Sequence, residues 1–387
     1  MRTATQRFIV VGAGALGVSS ALELRQRGHD VVLVDPGPVP HPRAASTDIS
    51  KLIRADYGSD AHYVELMELA HAEWLAMNQR LARPLFHETG VVVLATAPMQ
   101  PGEFEHDSFA LLSARGYPLE RLDARAIRER FPAFSGSAYR DGYFNGVGGW
   151  AESGEVVRAL HAAALRAGVT MAPPRRVTAL LDRPGIACDD GTTLAADHVV
   201  VTTGAWVTQL LPELADRLAP VAQPVFVLAP DDAAPFRPPQ FVPFAAEIAK
   251  TGWYGFCANA EGLVKIANHG PGIAIDPDGG RQVPSVYEAE LRAFLADSLP
   301  SLAGARIVRS HLCLYADSFD GDFLIARAQG RAGVTVATGD SGHAFKFTPV
   351  LGQLVADAAL GVPNRFSSRF AWRERTAARH EAARYIG

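Results

Sequence analysis

Three glycines, Gly12, Gly14 and Gly17, follow the apolar run FIVV at the spacing G-x-G-x-x-G and precede the helical pattern VSSALELRQR. That arrangement suits phosphate chemistry. Gly12 permits a tight turn, Gly14 lets the backbone approach a pyrophosphate, and Gly17 allows a helix to pack closely on a strand. The first N–H groups and positive dipole end of the helix then face the anion. Asp35 closes the next apolar run, HDVVLVD, where an acid can hold ribose hydroxyls and disfavours a 2′-phosphate. The set reads as a dinucleotide site. NAD and FAD share it, and the ordinary alternative is a merely tight turn.

Other residues have chemical potential without a motif of that kind. Lys51 and Arg54 stand three apart in STDISKLIRADYG, either as a solvated turn or as an anion clamp, and an arginine fork suits a carboxylate. Lys265 lies in the middle of LVKIAN, where alternation buries it and a buried cation needs a partner or a task. Tyr254 in GWYGFC and His269 in ANHG are pocket residues or satisfied core groups. Cys313 and Tyr315 share one strand face in LCLY, where a free cysteine is ordinarily a small buried hydrophobe. GDSGHAFKFTPVLG supplies a Gly-rich loop and then a helix opening near Pro349, whose N–H groups can stabilise negative charge.

The elements that must position these residues follow from periodicity. Residues 7–35 read as strand, turn, helix and strand, with Gly28 ending the helix; 36–43, PGPVPHPR, is a loop, and 60–82 is a long helix. After GGW comes an amphipathic helix, ESGEVVRALHAAALRAGV, with an Asx/Ser-type cap, and HVVVTTGAW is again a strand feeding a Gly turn. Residues 215–315 are richer in proline, aromatics and short strands, and AGVTVATG opens a last strand, loop and helix. The nucleotide-type pattern therefore recurs at the start, middle and end. The expected fold is α/β, with a Rossmann-type domain built from 1–80, 148–212 and 325–387. It is interleaved with a mixed β-sheet substrate domain from 81–147 and 213–324.

Composition bounds the rest. A chain of 387 residues exceeds one compact core. Its 48% hydrophobic and 20% charged content is that of a globular protein, and a net charge of -4 argues against a nucleic-acid partner. Three cysteines without a CxxC exclude a disulfide framework and a zinc site, so no metal is expected and a reducing, cytoplasmic setting fits. MRTATQR followed by FIVVGAGALGVSSAL imitates a signal peptide, but the glycine spacing is strict and no A-x-A site follows. The run is also too short for a bilayer, and the ending ARYIG is not a peroxisomal address, so no membrane partner is expected. Composition fixes no oligomeric state and is compatible with a monomer.

Five blocks in order, VVGAGALG, STDISKLIRADYG, GWYGFC with KIANHGPG, LCLYADSFDGDF and GDSGHAFKFTPVLG, span nearly the whole chain. Together they resemble the amine-oxidising flavoproteins of the D-amino acid oxidase superfamily, nearest to sarcosine, pipecolate, saccharopine and fructosyl amino acid oxidases. The resemblance implies FAD, joined by a thioether from Cys313 to the flavin 8α-methyl. It implies Arg54 and Lys346 as the clamp for a substrate carboxylate, and Lys51 at a position where sarcosine oxidases carry a second arginine. Lys265 would assist oxygen reduction as a cation near flavin N5, with Tyr254 and His269 lining the pocket beside it. His343 and Phe345 would contact the ring.

Further cofactor contacts are implied at Ala13, Ala15 and Leu16 around the glycines, and at Ser46, Lys51 and Leu52 in the second block. Val177 and the Gly204 and Trp206 of TTGAW join them, as do Gly339, Gly342, Ala344 and Lys346 in the last loop. Cys188 and Cys257 carry no such implication. The implied reaction passes hydride from the carbon next to a secondary amine to flavin N5, giving an imine that water hydrolyses, with O2 reoxidising the flavin to H2O2. Three alternatives stand beside it: a flavin dehydrogenase with another acceptor, an imine-forming biosynthetic enzyme, and a non-catalytic dinucleotide-binding regulator.

Overall fold

The computed structural model describes residues 4–375 and 378–386. Two large sheets organise it. The first has six strands and is parallel except at one edge. Its core strand, Arg7–Val11, lies between His198–Val201 and Asp30–Val34, each pair parallel and in continuous register. Val334–Thr338 extends it beyond His198–Val201, Leu324–Arg327 adds an antiparallel edge, and Thr170–Met171 closes the other side. These strands are short runs of Val, Ile and Leu buried on both faces, as a parallel sheet covered by helices requires.

The covering helices obey the sequence pattern with one exception. Ala15–Gln26 packs against Ser153–Arg166 and Thr348–Leu360. Ala61–Arg80 is capped by Asp60, whose side chain accepts from the backbone N–H groups of His62 and Tyr63. Thr348–Leu360 begins with Pro349 in its first turn, as expected. The expected Asx/Ser cap on Ser153–Arg166 is absent: Glu152 holds the N-cap position and makes no capping bond. Two competing partners explain this. Arg83 and His87 take the Glu152 carboxylate, and Ser153 Oγ donates instead to Asp48 O at 2.9 Å.

The second sheet has nine strands, predominantly antiparallel, drawn from residues 91–145 and 218–318. At its centre Leu218–Ala229 pairs on one side with Val264–Asn268 and Ile273–Ala274, and on the other with Arg306–Ser318. Both long strands exceed the short runs visible in sequence, and Leu218–Ala229 continues through Pro220 and Pro224. GWYGFC, by contrast, contributes only Trp253–Gly255. A small sheet of Lys51–Ile53, Gly149–Ala151 and Phe86–His87 lies outside both. None of the helices among the described residues is long and apolar enough to cross a membrane.

Gly17 shows how tightly the first turn is built. A Cβ there would lie 1.7 Å from Gly12 O and 2.7 Å from Thr202 Oγ1. Since backbone cannot yield as a side chain does, Gly17→Ala should cost more than about 3 kcal/mol, measured as a loss of urea-unfolding free energy. Wild-type stability in that variant would mean the turn can open.

Candidate active site

Strand register gathers residues from across the sequence onto one face of the nine-stranded sheet. Val227 pairs with Lys265 on one side and Arg309 on the other, and Val225 likewise pairs with Ala267 and His311. Two residues further along, Gln223 pairs with Cys313, and Tyr254 pairs with Ala267 from the next strand. Alternation then puts Lys265, His311, Cys313 and Tyr315 on the same side. Cys313 and Tyr315 pack there with Val225, Ala267, Ala45 and Tyr254.

Against this face, and running back under the six-stranded sheet, lies a cavity of about 520 Å³. Gly12, Gly14, Ala15, Leu16 and Asp35 line one end, Val177, Gly204 and Trp206 its flank, and Lys51, Tyr315, Gly342, Ala344 and Phe345 the other. Gly12 has φ +99°, and a Cβ on it would meet Thr202 O at 2.6 Å. Asp35 braces the glycine turn, accepting from Ala13 N at 2.8 Å and Gly37 N at 3.0 Å. Ser46 Oγ accepts from Ala15 N at 3.2 Å, which makes the hydroxyl a neighbour of whatever the helix start binds. Gly342 sits under Tyr315, where a Cβ would fall 2.2 Å from the ring. A glycine cradle, an open helix start and an acid at the strand end fit a dinucleotide.

Not every expected cofactor residue lines the cavity. Ala13 and Gly17 lie beneath the turn, Leu52 packs toward the second sheet, and Gly339 is wedged against Asp322 O and Leu324 N. Cys313 is adjacent to the lining rather than in it, with Sγ 3.5 Å from Lys51 Nζ and 3.8 Å from Ala45 O. His343 and Lys346 are set behind Ala344 and Phe345. There Lys346 Nζ donates to Tyr57 Oη at 2.9 Å, Tyr57 lies 3.1 Å from His343 Nδ1, and His343 Nε2 is 2.9 Å from Gly321 O. The carbonyl requires Nε2 to carry the proton, so Nδ1 accepts from Tyr57 and the imidazole is neutral. Burial agrees, lowering the His343 pKa to about 3.

Sequence reasoning missed the acids. Lys265, 1% exposed, donates to Asp48 Oδ2 at 2.5 Å and to Ser50 O at 2.6 Å. Burial lowers its pKa to about 8 although Asp48 opposes the shift. Burial also works against charge on Lys51, but Cys313, Asp48 and Tyr254 outweigh it and raise its pKa. Asp48 stood in view within STDISKLIR as an acid near two cations, Lys51 and Arg54. Glu381 did not: its Oε1 accepts from Arg54 Nη2 at 3.0 Å, across 327 residues, and its Oε2 lies 3.3 Å from His269 Nε2. Nothing local in the sequence signals that pairing. Among the described residues no cluster of His, Cys, Asp and Glu is placed to hold a metal ion.

Comparison with known proteins accords with this geometry. A family model described as FAD dependent oxidoreductase matches residues 7–358, and the chain belongs to that family. Membership makes it an FAD-dependent oxidoreductase, which sets aside the non-catalytic regulator. The chain is 28% identical over 360 residues to monomeric sarcosine oxidase of Bacillus sp. (strain B-0618), covering 91% of each. It is 30% identical over 367 residues to N-methyl-L-tryptophan oxidase of Salmonella dublin, covering 93% of this chain and 96% of the relative. Among solved structures, fructosamine oxidase (Amadoriase II) of Aspergillus fumigatus superposes with a TM-score of 0.85 at 25% identity. That superposition covers 100% of this chain and 94% of that one.

The buried imidazoles set an acid limit. Burial lowers His198, His269 and His311 from 6.5 to about 4, and His343 to about 3. Below pH 6.5 the unfolded chain takes up protons that these four refuse in the folded state, so stability falls as pH drops. Asp340 and Glu105, raised by burial to about 6 and about 7, act in the opposite sense, because folded protein keeps protons that unfolded chain releases. Asp56 and Asp317 are raised likewise and His29, His62 and His161 lowered, seven imidazoles against four carboxyls, so urea unfolding should show a net loss of stability between pH 6.5 and pH 4. A flat profile would show that the folded protein protonates these rings.

Proposed function

We propose that this enzyme oxidises the secondary amine of an N-substituted or cyclic amino acid, with FAD in the 520 Å³ cavity and O2 as acceptor, releasing H2O2. The observation that carries the reading is the sheet face. Lys51 and Tyr315 line the cavity end, Lys265, Tyr254 and Cys313 share the sheet face of Tyr315 beside it, and Arg54 and Lys346 lie buried outside the lining. When bound, FAD supplies a two-electron acceptor for the hydride on the carbon next to nitrogen.

The chain's own residues do the remainder. Gly12, Gly14, Asp35 and the start of Ala15–Gln26 would hold the pyrophosphate and ribose, with Lys51, Phe345 and the 339–346 loop around the ring. Arg54 and Lys346 would fix the substrate carboxylate, and Tyr254 and Tyr315 would exclude water. Excess buried positive charge disfavours a protonated amine, so the substrate nitrogen binds neutral and no dedicated base is needed. Lys265 keeps its proton at neutral pH and would offset negative charge as oxygen is reduced. Cys313, beside Lys51 Nζ, would join FAD through its sulfur in place of one hydrogen of the 8α-methyl, the two protons being lost and the two electrons passing through the flavin to O2. We also assign the two-domain division at 80, 147, 212 and 324 and a cytoplasmic location on the sequence grounds given above.

A second reading rests on the Lys265–Asp48 contact of 2.5 Å, which neutralises the lysine and favours an acceptor other than oxygen. Peroxide release from a panel of sarcosine, N-methyl-L-tryptophan, pipecolate, fructosyl amino acids and carboxylate-free amines separates the two. Fast turnover only with an artificial acceptor selects the dehydrogenase, and equal oxidation of carboxylate-free amines sinks the clamp. For the oxidase, Lys265→Met should slow reoxidation by ~10²–10³ and leave anaerobic reduction far less affected. Equal slowing of both half-reactions would make Lys265 a positioning or structural residue.

The Cys313 link has its own test. Wild-type protein precipitated in acid should keep its yellow colour in the pellet and exceed the chain mass by one FAD, while Cys313→Ser should release free flavin. Flavin washing out of the wild type would leave Cys313 a core thiol.

A further inference from the structure

The segment 378–386 crosses the cation cluster and is built into it. Arg379 N donates to Phe319 O at 2.9 Å and Tyr385 N to His269 O at 3.1 Å. Arg384 pairs with Asp317 at 2.7 Å and lies over the Tyr315 ring, while Ala383 is fully buried in the cluster that holds Val93 and Tyr143. The segment thereby brings Glu381 to Arg54. Arg54 and its surroundings keep the Glu381 pKa well below the ordinary carboxylate range despite burial, so the group is an anion.

The hydrogen bonding of the seat is nevertheless incomplete. Glu381 meets Arg54 through Nη2 alone, its Oε2 being shared between His269 Nε2 and the N–H of Ala383. Arg54 Nη1 is buried and has no hydrogen-bond partner among the described residues. Lys346 Nζ is bonded to Tyr57 Oη, a neutral group. An arginine fork is made for two parallel bonds, so a seat offering one further guanidinium nitrogen and a lysine suits a carboxylate that reaches both.

We propose that Glu381 is a built-in carboxylate ligand in the seat of Arg54 and His269, near Lys346, and that a substrate carboxylate binds only by displacing it. The segment 378–386 then decides which amino acids enter. This rests on the carboxylate clamp proposed above. Removing Glu381 without replacement would leave buried cations uncompensated, so exchange of one carboxylate for another is the low-cost way to open the seat. An amine without a carboxylate leaves Glu381 in place. A carboxylate binds with an apparent affinity lowered by the fraction of time the seat is closed.

The test uses the flavin-loaded full chain and acetate as the carboxylate, with acetamide as the uncharged control, read by calorimetry or flavin absorption. Glu381→Gln should bind acetate at least about tenfold more tightly than wild type, with acetamide unaffected. Equal acetate affinities in the two proteins would overturn the proposal while leaving the clamp intact. Failure of both proteins to distinguish acetate from acetamide would overturn the clamp and, with it, this proposal. A second measurement needs no variant: saturating acetate should speed hydrogen exchange at the Ala383 and Tyr385 amides of the wild type. Unchanged exchange at saturation would mean that Glu381 stays in the seat, and the proposal would fall.

Discussion

Buried positive charge has to be balanced, and the architecture around the cavity end can be derived from that demand. Arg54, Lys265 and Lys346 are each at most 5% exposed, and Lys51 is largely buried beside them. An unpaired buried ion costs several kcal/mol, so each must find an anion or give up its proton. Asp48 answers for Lys265 and reaches toward Lys51, Arg309 and His311. Glu381 answers for Arg54. Lys346 has only a tyrosine hydroxyl, and burial together with Arg54 drives its pKa well down. Asp56 is near, but burial raises its pKa and Tyr143 takes one of its oxygens.

That arithmetic gives the cluster its chemical character. Lys51, Arg54 and Lys265 face only Asp48 and Glu381 as secure anions, and Lys51 borders a cavity whose far end is a phosphate cradle. A region of this kind stabilises negative charge wherever it arrives or develops, and repels an ammonium. The neutral state of His343 belongs to the same design. Lys346 donates to Tyr57, Tyr57 to His343, and His343 to Gly321 O, a directed chain that transmits polarity without adding charge. The loop that carries His343 is shaped against its own backbone preference, with Ser341 at φ +42°. Ser341 is held there by bonds to Ala316 O and Ser318 N.

Side-chain type matters within this balance. Lysine at position 51 offers a compact, rotatable ammonium where a guanidinium would impose a planar fork. Here the ammonium turns to Cys313 Sγ, with Asp48 3.9 Å away. Asp48 also ties the loop before Lys51–Ile53 to the sheet face, and its carbonyl receives the Ser153 hydroxyl. One residue therefore joins the nine-stranded sheet, the small sheet and a helix start around the same pair of lysines.

The sequence alone determined what depends on near neighbours. The glycine turn, its flanking strands and helix, Asp35 at the strand end, the Pro349 helix start and the shared face of Cys313 and Tyr315 are all set by local periodicity and backbone sterics. The unusual burial of Lys265 was legible too, because a cation inside an apolar alternating run has nowhere else to point. Only the tertiary structure decided the counter-charges. Asp48 pairs with Lys265 across 217 residues and Glu381 with Arg54 across 327, and the expected Asx/Ser cap gave way to Glu152, whose carboxylate goes to Arg83 and His87. The reason is physical: strand and helix periodicities act over a few residues, whereas a buried ion is satisfied by whichever opposite charge the folded chain brings within about 3 Å, whatever its place in sequence.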